Sequence, residues 1–260
     1  MFQDIILCDA DSIYFRVACA TKQKNEIRKA IRHICNEIKR NCGTDKIFYA
    51  VKGRGNFRYD IYADYKGHRK ELEPDLKEAL NYGHNFMVED LGAVQADGME
   101  ADDLVAIWAY EQMEEGFEPV IAGIDKDLLQ IPGWHYNFVK KEEPRFVDAD
   151  QANMYLMLQC LTGDKADNIP GIQGIGPKKA EKILKDVPME RRWSRVKAAW
   201  RGHKAGNPDV SYQLLRMLTS WSEFDDIRNQ TAGETPVSKH NVSTEPSQDG
   251  SVQELPDGDT

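Results

Sequence analysis

Asp4-Ile5-Ile6-Leu7-Cys8 is a short apolar run that ends in Asp9-Ala10-Asp11. Its strand-like length and lack of polar alternation predict a strand buried on both faces, as in a parallel sheet. Lys46-Ile47-Phe48-Tyr49-Ala50-Val51 and Pro119-Val120-Ile121-Ala122-Gly123 repeat the pattern. Between these runs Ile27, Ile31, Ile34 and Ile38 recur at helical spacing, as do Ala101, Leu104, Val105 and Trp108. Strand and helix therefore alternate, which predicts an α/β fold with a mostly parallel sheet flanked by helices. In such sheets ligands bind beyond the carboxyl ends of the strands. Asp9, Asp11, Asp125 and Asp127 all follow predicted strands and so fall on that one rim.

Three carboxylate groups stand out: Glu100-Ala101-Asp102-Asp103, Asp125-Lys126-Asp127, and the pair Asp164 and Asp167 within Gly163-Asp164-Lys165-Ala166-Asp167-Asn168. Carboxylates repel one another, so a fold that draws these together with Asp9 needs cations to neutralise them, and an all-oxygen ligand set favours Mg²⁺ or Mn²⁺ over zinc. Each group also has a plainer reading. Asp97 and Glu100 make a capping box, neighbouring acids suit a helix's first turn, and Asp164 and Asp167 are spaced to share a helical face as a solvated pair. Their joint occurrence is what points to metal chemistry.

Gly171-Ile172-Gln173-Gly174-Ile175-Gly176 runs into Pro177-Lys178-Lys179. No strand is predicted before it and its spacing is G-x-x-G-x-G, so it is not a dinucleotide fingerprint. Glycines admit close backbone approach, Pro177 suits a first helical position, and the amides of that helix start can receive a phosphate. A plain helical hairpin is the alternative. Residues 57–70 interleave aromatics with bases, which reads equally as a stacking and phosphate-pairing segment or as an amphipathic helix with exposed charges.

The chain of 260 residues is 41% hydrophobic and 30% charged, as expected of a globular protein. It has no apolar run of membrane-spanning length and no basic leader at Met1-Phe2-Gln3-Asp4, so a cytoplasmic location without membrane association is expected. Five irregularly spaced cysteines suggest neither a disulfide framework nor a zinc site. The net charge of −9 is uneven: residues 223–260 contribute −7, while residues 178–204 hold ten Lys/Arg against three acids. A basic face beside an acidic pocket fits a protein that binds a nucleic-acid backbone. From Asn153 the pattern turns helical through about Phe224, and the Thr, Ser, Pro and acid-rich tail from about Asn229 is expected to be disordered.

The ordered series of Asp9, Tyr65-Lys66-Gly67-His68-Arg69, Met99-Glu100-Ala101-Asp102-Asp103, Asp125-Lys126-Asp127, and Gly163-Asp164 through Gly176 resembles the flap endonuclease or 5′ to 3′ exonuclease family, over roughly residues 4–200. That family includes phage 5′ nucleases and the 5′ nuclease domain of bacterial DNA polymerase I. The resemblance implies a PIN-like nuclease domain over residues 1–150 with a helical arch at about 57–85. It further implies a helix-three-turn-helix DNA-binding subdomain over 151–228, leaving 229–260 as an acidic tail. Two Mg²⁺ or Mn²⁺ ions are implied, one group of ligands being Asp9, Glu100, Asp102 and Asp103 and the other Asp125, Asp127, Asp164 and Asp167. Lys66 and Arg69 match the family's catalytic gateway pair. Tyr65, Gly174, Gly176, Lys178 and Lys179 would contact DNA, and the carbonyls of Ile172 and Ile175 would hold a potassium ion.

One departure is plain. The family usually has an Asp just after the second strand, where this chain reads Ala50-Val51-Lys52-Gly53. An Asp placed at Ala50 or Val51 is accordingly expected to lower the Mg²⁺ requirement, unless another group such as Asp11 already fills the role. The expected function is hydrolysis of DNA phosphodiesters at a 5′ end, nick or flap junction by a two-metal mechanism, by a monomer acting in phage DNA replication and RNA primer removal. A phage source is expected from the compact size without a polymerase domain, and an RNA–DNA hybrid is a further expected substrate. A PIN-type ribonuclease and a catalytically weak DNA-junction binding protein are the alternatives.

Overall fold

The computed structural model describes residues 4–203 and 206–231. Its centre is a six-stranded sheet in the order β3-β2-β1-β4-β5-β6. The strands are β1 (Ile5–Asp9), β2 (Ile47–Lys52), β3 (Val94–Ala96), β4 (Pro119–Ala122), β5 (Gly133–Tyr136) and β6 (Arg145–Val147). The first five run parallel and β6 pairs antiparallel with β5. β1 and β4 are buried along their whole length, as the unbroken apolar runs require. β3, β5 and β6 carry little hydrophobic signal in the sequence because each is short and two of them hold exposed residues.

One face of the sheet is covered by α1 (Asp11–Ala20), α2 (Lys24–Cys42) and α4 (Pro74–Leu91). Ile27, Ile31, Cys35, Ile38 and Cys42 form the buried stripe of α2. α5 (Ala101–Glu114) covers the other face, joined there by Met217, Leu218, Phe224 and Ile227 from the end of the described chain. The segment from 57 to 85 is not one continuous helix. A single turn, α3 (Arg58–Ile61), is followed by turns and extended chain, and then by α4, which packs on α1 and α2. Pro74 at its first position opens α4 and Gly92 closes it with a left-handed φ of 71°.

Beyond the rim of the sheet lies a helical end with its own apolar cluster, made of α6 (Ala149–Thr162), α7 (Pro177–Leu184), α8 (Met189–Trp200) and α9 (Pro208–Leu215). Tyr62 and Tyr65 from the 57–70 segment are buried in this cluster. That segment is therefore neither an amphipathic surface helix nor a wholly exposed stacking strip, although Tyr59 and Arg69 stay exposed. α10 (Trp221–Thr231) follows, and the tail expected to be disordered from Asn229 lies almost wholly outside the described residues.

Candidate active site

The carboxyl ends of β1 and β4 deliver Asp9 and Asp125 to one cleft. Asp9, 6% exposed, has its carboxyl pushed up to about 7 by burial, then by the repulsion of Asp11 and Asp125. Across the cleft stands the start of α5. Its N-cap is Glu100 and not Asp97, because the Asp103 carboxylate reaches back to the Glu100 N–H (3.1 Å), while Asp97 accepts the Arg54 N–H (2.7 Å) in a neighbouring loop. Asp102 lines the cleft and is raised well above the usual carboxylate range by burial and by Glu100, Asp103 and Asp9.

The second group continues from Asp125, which caps a short 3-10 turn (Lys126–Gln130) by accepting the Asp127 N–H at 2.9 Å. Asp127 accepts from Gln159 (2.7 Å) and from the Tyr155 hydroxyl (3.3 Å). Burial and the Asp125 charge push it up to about 6. Asp164 and Asp167 do not share a helical face. Gly163–Asp164 is the strand β7 of a two-residue ribbon with β8 (Ile169–Pro170), and Asp167 sits in the turn between them. Glycine is required at both ends of this ribbon: a Cβ on Gly163 would lie 2.3 Å from the Gly171 nitrogen, and one on Gly171 would lie 2.1 Å from the Thr162 carbonyl carbon. The tight crossing turns Asp164 and Asp167 into the cleft that Asp102, Asp125 and Asp127 also line.

Basic side chains are interleaved with these acids. Lys66 pairs with Glu100 and lies 3.7 Å from Asp167, Arg69 pairs with Asp167 at 2.9 Å, and Lys126 with Asp164 at 3.0 Å. Burial would raise Glu100, yet Arg58 and Lys66 hold it below its ordinary value, and Lys126 does the same for Asp164. The Tyr65 hydroxyl lies 3.1 Å from both Glu100 and Asp167. Lys66 adopts a left-handed φ of 54° and its N–H donates to the Asp167 carbonyl at 2.9 Å, while the Asn168 amide donates to the Asp64 carbonyl at 2.7 Å. The 64–69 turn and the β7–β8 ribbon are thus tied by one backbone bond and one from the Asn168 side chain. Among the described residues no three carboxylate, His or Cys side chains converge closely enough to enclose an ion unaided. The donor set nevertheless fits a hard divalent cation: every acid lining the cleft offers carboxylate oxygens, and burial and mutual repulsion press on Asp9, Asp102 and Asp127.

Two expectations need correction. Asp103 does not line the cleft. It is fully buried and grips the Arg58 guanidinium through both oxygens, with Nη2 to Oδ1 at 2.9 Å, and it also accepts the Leu218 N–H at 3.3 Å. Neighbouring acids in a first helical turn point about 100° apart, so only Asp102 faces the cleft. The second concerns the end of β2. Ala50 and Val51 are fully buried in the clusters on opposite faces of the sheet, and it is Lys52 that reaches the rim. An Asp at 50 or 51 would enter the core and could not strengthen the site. The Lys52 N–H is instead capped by the Asp11 carboxylate at 2.8 Å.

The Gly171–Gly176 turn leads into α7 with Pro177 at its first position. Gly174 has φ 78° and its carbonyl accepts the Lys179 ammonium at 2.8 Å. Ile172 is buried, and its carbonyl accepts the Ile175 N–H at 3.0 Å. Gly176 is the N-cap of α7, and Lys178, Lys179, Lys182 and Lys185 are exposed. Of the basic run beyond, Arg192 is structural: it is buried and paired bidentately with Asp150 at 2.7 and 2.8 Å.

Residues 4–155, more than half of the chain, match the family model described as the 5'-3' exonuclease, N-terminal resolvase-like domain. The chain belongs to the 5′-3′ exonuclease family. Among its relatives, this exonuclease-family chain is 32% identical over 178 residues to a protein named 5'-3' exonuclease from Aquifex aeolicus, covering 62% of this chain and 61% of that one. It is 34% identical over 183 residues to DNA polymerase I of Rhizobium leguminosarum, covering 63% of this chain and 18% of the polymerase. The chain thus spans under two thirds of the first relative and about a fifth of the second. A bacteriophage T5 5'-exonuclease structure with bound divalent zinc has the same fold, with a TM-score of 0.65 at 16% identity over 88% of this chain and 98% of that one. A T5 D15 flap endonuclease complex with DNA and metal ions gives a TM-score of 0.64 at 16% identity, over 88% and 93%. The likeness extends over the α/β sheet and the helical end, 88% of this chain in both cases. No helix among the described residues is long and apolar enough to cross a membrane.

Proposed function

We propose that this chain is a divalent-metal-dependent 5′ nuclease that hydrolyses DNA phosphodiesters at 5′ ends, nicks or flap junctions. The observation that carries the reading is one cleft on the sheet's rim. Asp9, Glu100, Asp102 and Asp125 line one part of it, Asp125, Asp127, Asp164 and Asp167 the other, and Lys66 and Arg69 stand between them. These seven carboxylates would hold two Mg²⁺ or Mn²⁺ ions. When bound, such ions supply an activated water and neutralise the leaving oxygen.

The chain's own groups do the remaining work. Lys66 is paired to Glu100 and Asp167 and stands where an entering phosphate would compete for its ammonium, so it can balance charge growing on the scissile group. Arg69 is more exposed and offers a fork for a neighbouring phosphate. The amides at Gly174 and Gly176 and the exposed Lys178 and Lys179 would follow the duplex backbone, reading phosphates and not base edges. The same reading assigns a potassium ion to the carbonyls of Ile172 and Ile175. A monomer is sufficient, since every group invoked lies on one chain. The setting we infer is phage DNA replication; a role in removing RNA primers is in keeping with bacterial relatives named DNA polymerase I, and an RNA–DNA hybrid would then be a second substrate.

Incubation with a 5′-labelled flap duplex, and separately with single-stranded RNA, in Mg²⁺ and in EDTA tests the reading. Mg²⁺-dependent cleavage of the flap duplex is expected. Cleavage of RNA alone, or binding to the junction without cleavage in Mg²⁺ or Mn²⁺, would overturn it.

A further inference from the structure

We propose that Asp11 is a ligand of the cation held by Asp9, Glu100 and Asp102, delivered to the end of β2 from α1. The inference rests on the metal-dependent reading above and deepens it. Asp11 is the first residue of α1, and an acid there would suit the helix dipole in any orientation. Its orientation is fixed more narrowly than that role requires. Both donors that hold the carboxylate serve Oδ1: the Lys52 N–H at 2.8 Å and the Tyr14 hydroxyl at 2.8 Å. Oδ2 is left as an acceptor in the cleft that Asp11 lines with Asp9, Glu100, Asp102 and Asp125.

The bracing comes from three elements. Tyr14 belongs to α1, Lys52 ends β2, and His84 of α4 lies 2.9 Å from the Lys52 carbonyl and meets the Tyr14 ring edge-on at 5.8 Å. α4 approaches this closely because residue 83 is glycine: a Cβ there would lie 2.9 Å from the Tyr14 Cβ. A glycine inside a helix costs roughly 0.5–1 kcal/mol relative to alanine, and the close approach it permits sets the tyrosine that orients Asp11. The Asp11 backbone N–H also donates to Asp9 Oδ1 at 3.1 Å, which ties the Asp9 carboxylate to the start of the helix that carries Asp11. Outer hydrogen bonds of this kind hold a ligating oxygen in place before the ion arrives. The rim position that β2 leaves to Lys52 therefore has a carboxylate after all, carried by the neighbouring helix.

Asp11→Asn keeps an acceptor for Lys52 and Tyr14 and removes only the charge. Binding of Mn²⁺ alone to the full chain, without DNA, is measured by electron paramagnetic resonance and by calorimetry for wild type and Asp11→Asn. A loss of about 10- to 100-fold in affinity is expected, with far-ultraviolet circular dichroism unchanged. Wild-type affinity in the folded variant overturns the proposal. A second measurement needs no variant: in wild type labelled with ¹³C at aspartate carboxyls, substoichiometric Mn²⁺ broadens the Asp11 resonance together with that of Asp9. A sharp Asp11 signal beside a broadened Asp9 signal also overturns it. If wild type binds no Mn²⁺ and cleaves no flap duplex, the metal-dependent reading itself fails, and the two failures are told apart.

Discussion

Replacing Asp103 by Asn should damage the fold far more than the metal site. Asp103 and Arg58 have 0% and 4% of their side chains exposed, and the pair is closed on every side: Arg58 also donates to the Leu214 carbonyl at 2.8 Å and to the Arg216 carbonyl at 3.0 Å. The asparagine still accepts one backbone N–H but leaves the guanidinium without its counter-ion. Breaking a buried pair in this way costs about 3–5 kcal/mol, a large share of the roughly 5–15 kcal/mol available to a domain. At about 2–4 °C per kcal/mol for a chain of this size, Tm should fall by roughly 6–20 °C. Glu100 lies near enough to Arg58 to recover part of the loss, which favours the lower end. Replacing both partners, Arg58→Met with Asp103→Leu, should cost less than the sum of the single changes, because no charge is left buried. Urea denaturation and Mn²⁺ binding are measured on the same samples. A loss under 1 kcal/mol for Asp103→Asn, or intact stability with Mn²⁺ affinity reduced as far as in Asp102→Asn, would show that Asp103 serves the ion and refute the structural assignment.

Asp102→Asn and Asp127→Asn should each abolish cleavage while junction binding stays within about tenfold, roughly 1.4 kcal/mol, as gel shift and cleavage assays will show; full activity in either removes them from the site. Lys178→Ala with Lys179→Ala should weaken duplex binding and reduce its salt slope by about two, measured by anisotropy across a salt series. The pH dependence has a definite sign. Folding raises Asp9 from 3.8 to about 7 and Asp127 from 3.8 to about 6, so the folded state binds their protons more tightly and their contribution to stability, full below about pH 4, is lost as pH rises through 6 to 7. Glu100 and Asp164, held below their ordinary values, act oppositely and only at lower pH. A cation competes with those protons, so the rise in Tm on adding Mg²⁺ over EDTA should grow between pH 5 and 8, and a flat difference would argue against ligation by Asp9 and Asp127. Truncation after Arg228 should leave Tm and cleavage unchanged, whereas truncation after Ser220 removes the buried Phe224 and Ile227 and should cost several kcal/mol, on the order of core deletions elsewhere.

The parallel sheet was legible because β1 and β4 are continuous buried runs and β2 is apolar through most of its length, and the ends of β1 and β4 named Asp9 and Asp125. β3 has three residues, two of them exposed, so it carries almost no hydrophobic signal. Sequence spacing could not separate Asp102 from Asp103, since which of two adjacent acids faces a cleft depends on where Arg58 is buried, 44 positions upstream of Asp102. The same holds for Asp164 and Asp167: three-residue spacing suits a helix, and only the contact between Gly163 and Gly171 makes it a ribbon. Asp11 was visible beside Asp9, but its bond to Lys52 depends on strand register, which pairs Asp9 with Ala50.

Met217, Leu218, Phe224 and Ile227 come back past the helical end to pack with Leu7, Leu104 and Ile121 in the layer beneath α5. During synthesis the cover that α5 gives the sheet's second face therefore stays incomplete until residues near 227 have left the ribosome, after the whole basic helical end has already emerged. At about 5–20 residues per second the interval between completing β6 and releasing this segment is several seconds. Through that interval Asp103 and Arg58 lack the Leu218 amide and the Leu214 and Arg216 carbonyls that complete their burial. A nascent chain thus reaches its finished site only when nearly all of the described protein has been translated.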